Sequence, residues 1–381
     1  MPRLPLFACL SLLIAWPLPL LAQTTAAPGE RGVLGVTVLL TDLQHPWSMA
    51  FLPAQQGLLI TERPGRLRLM DAQGALSAPL SGVPQVYARG QGGLLDVALP
   101  PDFAEERWVY LAYAEAGEDG QAGTAVGRGR LAADNRGLED FSVIFRQQPK
   151  LSSGTHFGAR LVFDGAGYLF ITLGENNQRS TAQDLDKLQG KVVRLYADGR
   201  VPADNPFVGQ AGTRGEIWSY GHRNPQGAAL NPRTGQLWTH EHGPRGGDEI
   251  NIPQAGKNYG WPLATHGVNY SLLAIPEAQG KTLAGTEPPH HVWAKSPAIS
   301  GMAFYDAERF AQWQNSLFIG ALADQALLRL ELDGDRVVSE ERLLQGRNAR
   351  IRDVRQGPDG YLYVLTDAAN GQLLRLGLQA Q

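Results

Sequence analysis

Short stretches in which apolar and polar residues alternate recur along the whole chain, among them LRLM at 67–70, LRLEL at 328–332 and YLYVL at 361–365. A period of two puts the apolar side chains on one face of a β-strand, and few stretches keep a helical period for three turns. Six segments share one order, an apolar strand, a turn, then a β-rich strand: 47–62, 93–115, 158–175, 226–242, 299–321 and 351–367. Most are followed by a third strand that returns to a turn, as in GRLRLMDAQG and GKVVRLYADG. Six such units, each of roughly 45–80 residues, predict an all-β, six-bladed β-propeller with one small antiparallel sheet per blade. A β-helix would need shorter and more regular coils, and a pair of β-sandwiches would not repeat the unit. Unequal spacing then means long inter-strand loops, chiefly 176–216 and 243–298, expected on the blade faces and forming the active site at one of them.

Composition agrees with many turns, since 45 of the 381 residues are Gly and 25 are Pro. The formal charge is −3 and Lys and Arg form no runs, so a nucleic-acid partner is not expected. Residues 1–22 read as a secretory signal peptide, with an early Arg, a short apolar run and Ala22 before QTTAAPGE. No other segment is long and apolar enough to span a bilayer, so the propeller domain, residues 35–378, is expected to be soluble and periplasmic or secreted. Cys9, the only cysteine, falls in the leader. Disulfides, thiol nucleophiles, Cys-ligated zinc and iron–sulfur clusters are excluded with it.

In a propeller the first strand of each blade lines the central channel, so residues just before it ring one mouth. Those positions hold Gln91, His156, Asn224, Gln226, Arg350 and Arg352. Any one of them alone reads as structural. Together, from separate blades, they would otherwise have to satisfy one another at a cost, which favours a functional site. THEH sets His240 and His242 on one strand face without the HExxH helix of a zinc site, and GPRGGDE lacks the GK[ST] of a phosphate loop.

Four stretches carry a resemblance: RGQGGLLDVALPPDF, HFGARLVFDGAGYLFITLGENN, GHRNPQGAALNPRTGQLWTHEHGPRGGDEINIPQAGKNYGWP and RIRDVRQGPDGYLYVLTD. They resemble the soluble quinoprotein sugar dehydrogenases, and most closely the aldose sugar dehydrogenase branch. The resemblance implies a six-bladed propeller holding pyrroloquinoline quinone (PQQ) and calcium, an aldose substrate oxidised at C1 to the lactone, and an external electron acceptor. It makes His156 the general base for the anomeric hydroxyl, with Asp248 near enough to orient it. Gln91, Asn224, Gln226, Gly243, Arg350 and Arg352 would contact the cofactor, and the carbonyls of Gly243 and Pro244 would hold calcium against it. Glu249 and the Tyr259 carbonyl would serve a further calcium. Three positions depart from the glucose-oxidising branch: Thr155 where that branch has Asp, His242 where it has Gln, and Ala323 where it has Lys. Two other readings are a propeller used only as a binding scaffold and a calcium-dependent lactonase, which would need Glu, Asn and Asp side chains around a channel metal.

Overall fold

The computed structural model describes residues 24–29 and 32–379, so the expected leader lies outside the described residues. The strands form six antiparallel sheets. Their innermost strands are Pro46–Phe51, Leu94–Ala98, Gly158–Phe163, Pro225–Leu230, Ile299–Tyr305 and Ile351–Gln356. Each packs beside the next, and the sixth packs beside the first, which closes the six-bladed ring. Closure is a chain-end event: Gly32–Leu43 joins the sheet of the sixth blade, pairing with Gly371–Leu378 so that Leu34 faces Leu378 and Leu43 faces Gly371. Helix among the described residues is confined to one α-turn at Phe103–Glu106 and four 3₁₀ turns.

The apolar core lies between neighbouring sheets rather than in the channel. One cluster joins Trp47, Leu95, Tyr110, Phe157 and Ile171 from blades one to three, and another joins Trp238, Ile250, Met302 and Leu328 from blades four and five. At about 1.5–3 kcal/mol for each large apolar side chain buried, these seams supply the main force that holds flat blades in a ring.

All six inner strands carry a register shift within their first few residues, for example between Gly158 and Leu161 and between Ile351 and Asp353. A bulge re-aims side chains, and the bulged stretches include Asp96, Arg160, Gln226 and Arg352. Below the mouth the channel is closed by charge. Arg160 Nη1 lies 3.0 Å from Asp96 and Nη2 lies 3.2 Å from Asp353, while Arg355 reaches Asp353 at 3.1 Å and Asp96 at 3.4 Å. Ser48 Oγ donates to Asp96, and Leu161 N–H donates to the same carboxylate at 2.7 Å. Gly301 makes room for this cluster, because a Cβ there would lie 2.1 Å from Asp353 Oδ1.

The long connections divide between the two ends of the ring. Residues 174–190 lie at the mouth that holds His156, but 197–216 follow Lys191–Tyr196 as it runs away from that mouth, and they line no part of the site. The expectation that all of 176–216 builds the site is corrected accordingly.

Candidate active site

Antiparallel pairing places the end of the second strand of a blade beside the start of its first: Pro46 faces Glu62, Gly158 faces Leu173, Pro225 faces Glu241 and Ile351 faces Thr366. Each blade can therefore send two side chains to one mouth. A cavity of about 210 Å³ opens there, lined by Gln91, His156, Asn224, Gln226, Arg350 and Arg352. Arg63, His242 and Asp367, each just past the end of a second strand, join the wall with Trp47, Arg223, Tyr270, Ala298 and Leu322.

His156 occupies a left-handed conformation, φ 53°, and its backbone is gripped from two sides. Its N–H donates to Gln91 Oε1 at 2.8 Å and its carbonyl accepts Asn176 N–H at 3.2 Å. Gly174 permits the approach, since a Cβ there would sit 1.9 Å from the His156 carbonyl oxygen. The ring Nδ1 lies 2.7 Å from Oε2 of Glu175, a fully buried carboxylate. With Nδ1–H donated to that carboxylate, Nε2 is the nitrogen left for a reacting group. Asp248 does not orient the ring. Its carboxylate accepts Gly243 N–H at 3.0 Å, Ser296 Oγ–H at 2.7 Å and Ala298 N–H at 2.9 Å, which makes it an anchor for two loops. The orienting contact belongs to Glu175, which the sequence presents only as the end of a strand.

Positive charge dominates the wall. Arg63, Arg223, Arg350 and Arg352 face one lining carboxylate, Asp367. Arg352 is buried and donates to Asp367 at 2.9 Å and to Gln226 Oε1 at 3.1 Å, and Arg350 reaches Asp367 at 3.4 Å. Burial alone would raise the Asp367 pKa, but Arg352, His45 and Arg350 hold it well below the usual carboxylate range. Nε of Arg223 and Nε of Arg352 are buried without a hydrogen-bond partner. Spare guanidinium donors in a cationic cleft fit a planar polycarboxylate such as PQQ.

Behind the main cavity a pocket of about 10 Å³ is bounded by Glu241, Gly243, Glu249, Tyr259 and Trp261. Burial, then the neighbouring Glu241, pushes the Glu249 carboxyl up to about 8. Asn251 Nδ2 donates to Glu249 at 3.0 Å, and Asn251 Oδ1 is buried without a partner. Oxygen donors around a crowded pair of carboxyls suit a hard cation, although no cluster of three or more His, Cys, Asp or Glu forms a metal site among the described residues. Pro244 lines neither cavity, whereas Gly243, Glu249 and Tyr259 line the small one. His242 lines both. Burial lowers its pKa to about 4, so the imidazole between the two cavities is neutral, and its Nε2 has no partner. Thr155 Oγ1 pairs with Ser153 Oγ at 3.2 Å, and Ala323 uses its N–H on Pro297 O at 3.0 Å, leaving Leu322 at the wall.

A family model described as Glucose / Sorbosone dehydrogenase matches residues 43–375. The chain belongs to this family. Aldose sugar dehydrogenase YliI of Escherichia coli (strain K12) is 61% identical over 358 residues, covering 94% of this chain and 96% of that protein. The crystal structure of the soluble aldose sugar dehydrogenase from Escherichia coli in the apo-form superposes with a TM-score of 0.90 at 62% identity, covering 91% of this chain and 100% of the other. The PQQ-bound form of aldose sugar dehydrogenase from Streptomyces coelicolor gives 0.72 at 27% identity, covering 92% and 100%. As a member of the glucose/sorbosone dehydrogenase family the chain is a sugar dehydrogenase. Among the described residues no helix is long and apolar enough to cross a membrane.

Proposed function

We propose that this dehydrogenase uses PQQ and calcium to oxidise aldoses at C1 to the lactone, with His156 as general base. The observation that carries the reading is the His156–Glu175 pair at the wall of a cavity ringed by four guanidiniums. When bound, PQQ supplies the two-electron acceptor, and calcium supplies a Lewis acid for its carbonyl. His156 Nε2 takes the proton of the anomeric hydroxyl as hydride leaves C1. Glu175 holds the Nδ1–H tautomer and stabilises the imidazolium that forms. Arg63, Arg223, Arg350 and Arg352 answer the cofactor's carboxylates, with Gln91, Asn224 and Gln226 between them. The carbonyls of Gly243, which lines the small pocket, and of Pro244, which lines neither cavity, would hold the calcium at the cofactor, and Glu249 with the Tyr259 carbonyl would hold the second. An external acceptor would take up the electrons, and a leader at 1–22 would export the enzyme so that the reaction lies outside the cytoplasm.

A lactonase would ask for Glu, Asn and Asp around a channel metal, whereas two guanidiniums neutralise Asp96 and Asp353 in this channel. The test is reconstitution: purified apoprotein with PQQ and calcium should reduce a dye in the presence of aldoses, and omission of either should abolish turnover. Apoprotein that binds PQQ tightly yet oxidises no aldose would refute the proposal.

A further inference from the structure

Two aromatic residues line the cavity with His156, and they sit differently. Trp47 is 2% exposed. Tyr270 is 74% exposed and still borders the cavity, which puts the residue at the mouth. The ring is carried on an ordered turn. Val268 and Arg245 exchange backbone hydrogen bonds of 2.8 and 3.2 Å. Asn269 N–H then donates to Leu273 O at 2.8 Å, and Asn269 Nδ2 donates to Ala274 O at 2.9 Å. Leu272 and Leu273, on the same turn, are 64% and 70% exposed. Three large apolar side chains exposed on one short turn beside a cavity mark a contact surface, and Tyr270 is the one of them that lines the cavity.

The rest of the wall is rich in guanidinium, amide and imidazole groups that can meet hydroxyls or carboxylates. An aldose ring has a polar rim and apolar C–H faces, and apart from Tyr270 the lining offers those faces only buried Trp47 and the aliphatic Ala298 and Leu322. The negative π face of an aromatic ring matches those weakly positive C–H hydrogens. We infer that Tyr270 is a substrate-binding residue whose ring stacks on a C–H face of the aldose and turns the anomeric hydroxyl toward His156. The inference rests on the aldose reaction proposed above.

The experiment uses the PQQ- and calcium-loaded enzyme and reads aldose KM and kcat, the PQQ dissociation constant, and the dissociation constant of a 1,5-anhydrohexitol. That probe keeps the ring faces but lacks the oxidisable hydroxyl. Tyr270→Ala should raise both the aldose KM and the probe's dissociation constant roughly 3–10-fold, with the loss falling on KM rather than kcat. Tyr270→Phe keeps the ring and should stay within about twofold of the parent. The double variant Leu272→Ser with Leu273→Ser should leave KM at the parent value. Parent-like probe binding by Tyr270→Ala overturns the inference. So does an equal loss in the double leucine variant, which would assign the effect to the fold of the turn, or a parallel fall in PQQ affinity, which would make Tyr270 a cofactor wall. If the parent enzyme oxidises no aldose, the reaction proposed above fails, and the probe measurements still decide the stacking.

Discussion

At the scale of single residues the site turns on how one imidazole is held. His156 has its backbone fixed by Gln91 and Asn176 and its Nδ1 fixed by buried Glu175. None of those contacts uses the guanidiniums, so chemistry and cofactor holding should separate by mutation. His156→Gln should bind PQQ as the parent does and turn over roughly 10²–10⁴-fold more slowly, the usual worth of a positioned base. Glu175→Gln keeps a hydrogen-bond acceptor near Nδ1 but removes the charge that favours the imidazolium. A loss of roughly 10–100-fold in kcat is expected, with PQQ affinity unchanged. Arg352→Met should behave in the opposite way, with PQQ affinity falling first and excess PQQ recovering part of the rate. Titration of PQQ alongside single-turnover rates checks all three, and a parent rate in saturated His156→Gln would remove His156 from the mechanism.

At the scale of the element the hairpin explains what could be read from the chain and what could not. Six strand–turn–strand units gave the ring and its count, and residues at the starts of the first strands gave the lining of one cavity: Gln91, His156, Asn224 and Arg350 precede their strands, while Gln226 and Arg352 are the second residues of theirs. Arg63, Glu175 and Asp367 escaped that reading because they follow the second strands, and only the antiparallel register brings them to the same mouth. TERP, LGEN and LTDA at the ends of those strands carry the signal, a charged residue just beyond an apolar run. Asp248 misled for a related reason: motif proximity does not say which way a carboxylate points, and this one points into loop amides. The closing strand Gly32–Leu43 was illegible as such, since its partner lies over three hundred residues away in sequence.

Lys191, at the start of a third strand, gives an element-scale test. It is buried, and its Nζ donates to the carbonyls of Thr181, Ala182 and Gln189 at 3.0, 3.0 and 2.6 Å, tying the mouth loop to the sheet. Burial lowers its pKa to about 7, whereas an unfolded lysine titrates near ~10.4. Between those values the unfolded chain holds more protons, so this group's contribution to stability grows as pH rises and is lost as pH falls through about 7. The urea midpoint should therefore climb between pH 7 and 9 more steeply in the parent than in Lys191→Met. Identical slopes would show that the buried amine does not titrate there.

At the scale of the molecule the ring is held by a closing strand outside and by a charge cluster inside. The sixth sheet ties the N-terminal strand to the C-terminal ones, with Leu34 and Val36 in the same core as Phe318, Val354 and Leu376. Inside, Arg160, Arg355, Asp96 and Asp353 come from blades two, three and six, with Ser48 from blade one, and the two guanidiniums balance the two carboxylates. Replacing a whole buried cluster by apolar groups can be neutral, but removing one member strands an opposite charge at a cost of about 3–5 kcal/mol. Arg160→Met leaves two buried carboxylates against Arg355 alone and should destabilise by about that much. Adding Asp96→Asn restores neutrality while an amide oxygen can still accept the Leu161 N–H, so the double variant should be more stable than Arg160→Met alone, by about 1 kcal/mol or more. The cluster also reaches the site above it, since Arg160 Nε donates to Gln226 O at 3.0 Å and the Gln226 side chain holds Arg352. PQQ affinity should accordingly fall in Arg160→Met and in the double variant alike, because both lose the Arg160–Gln226 bond, whereas stability should fall mainly in the first. Urea unfolding of the four proteins in the cycle, with PQQ titration of each, separates the two effects; additive stabilities across the cycle would mean that the channel charges do not act as one unit.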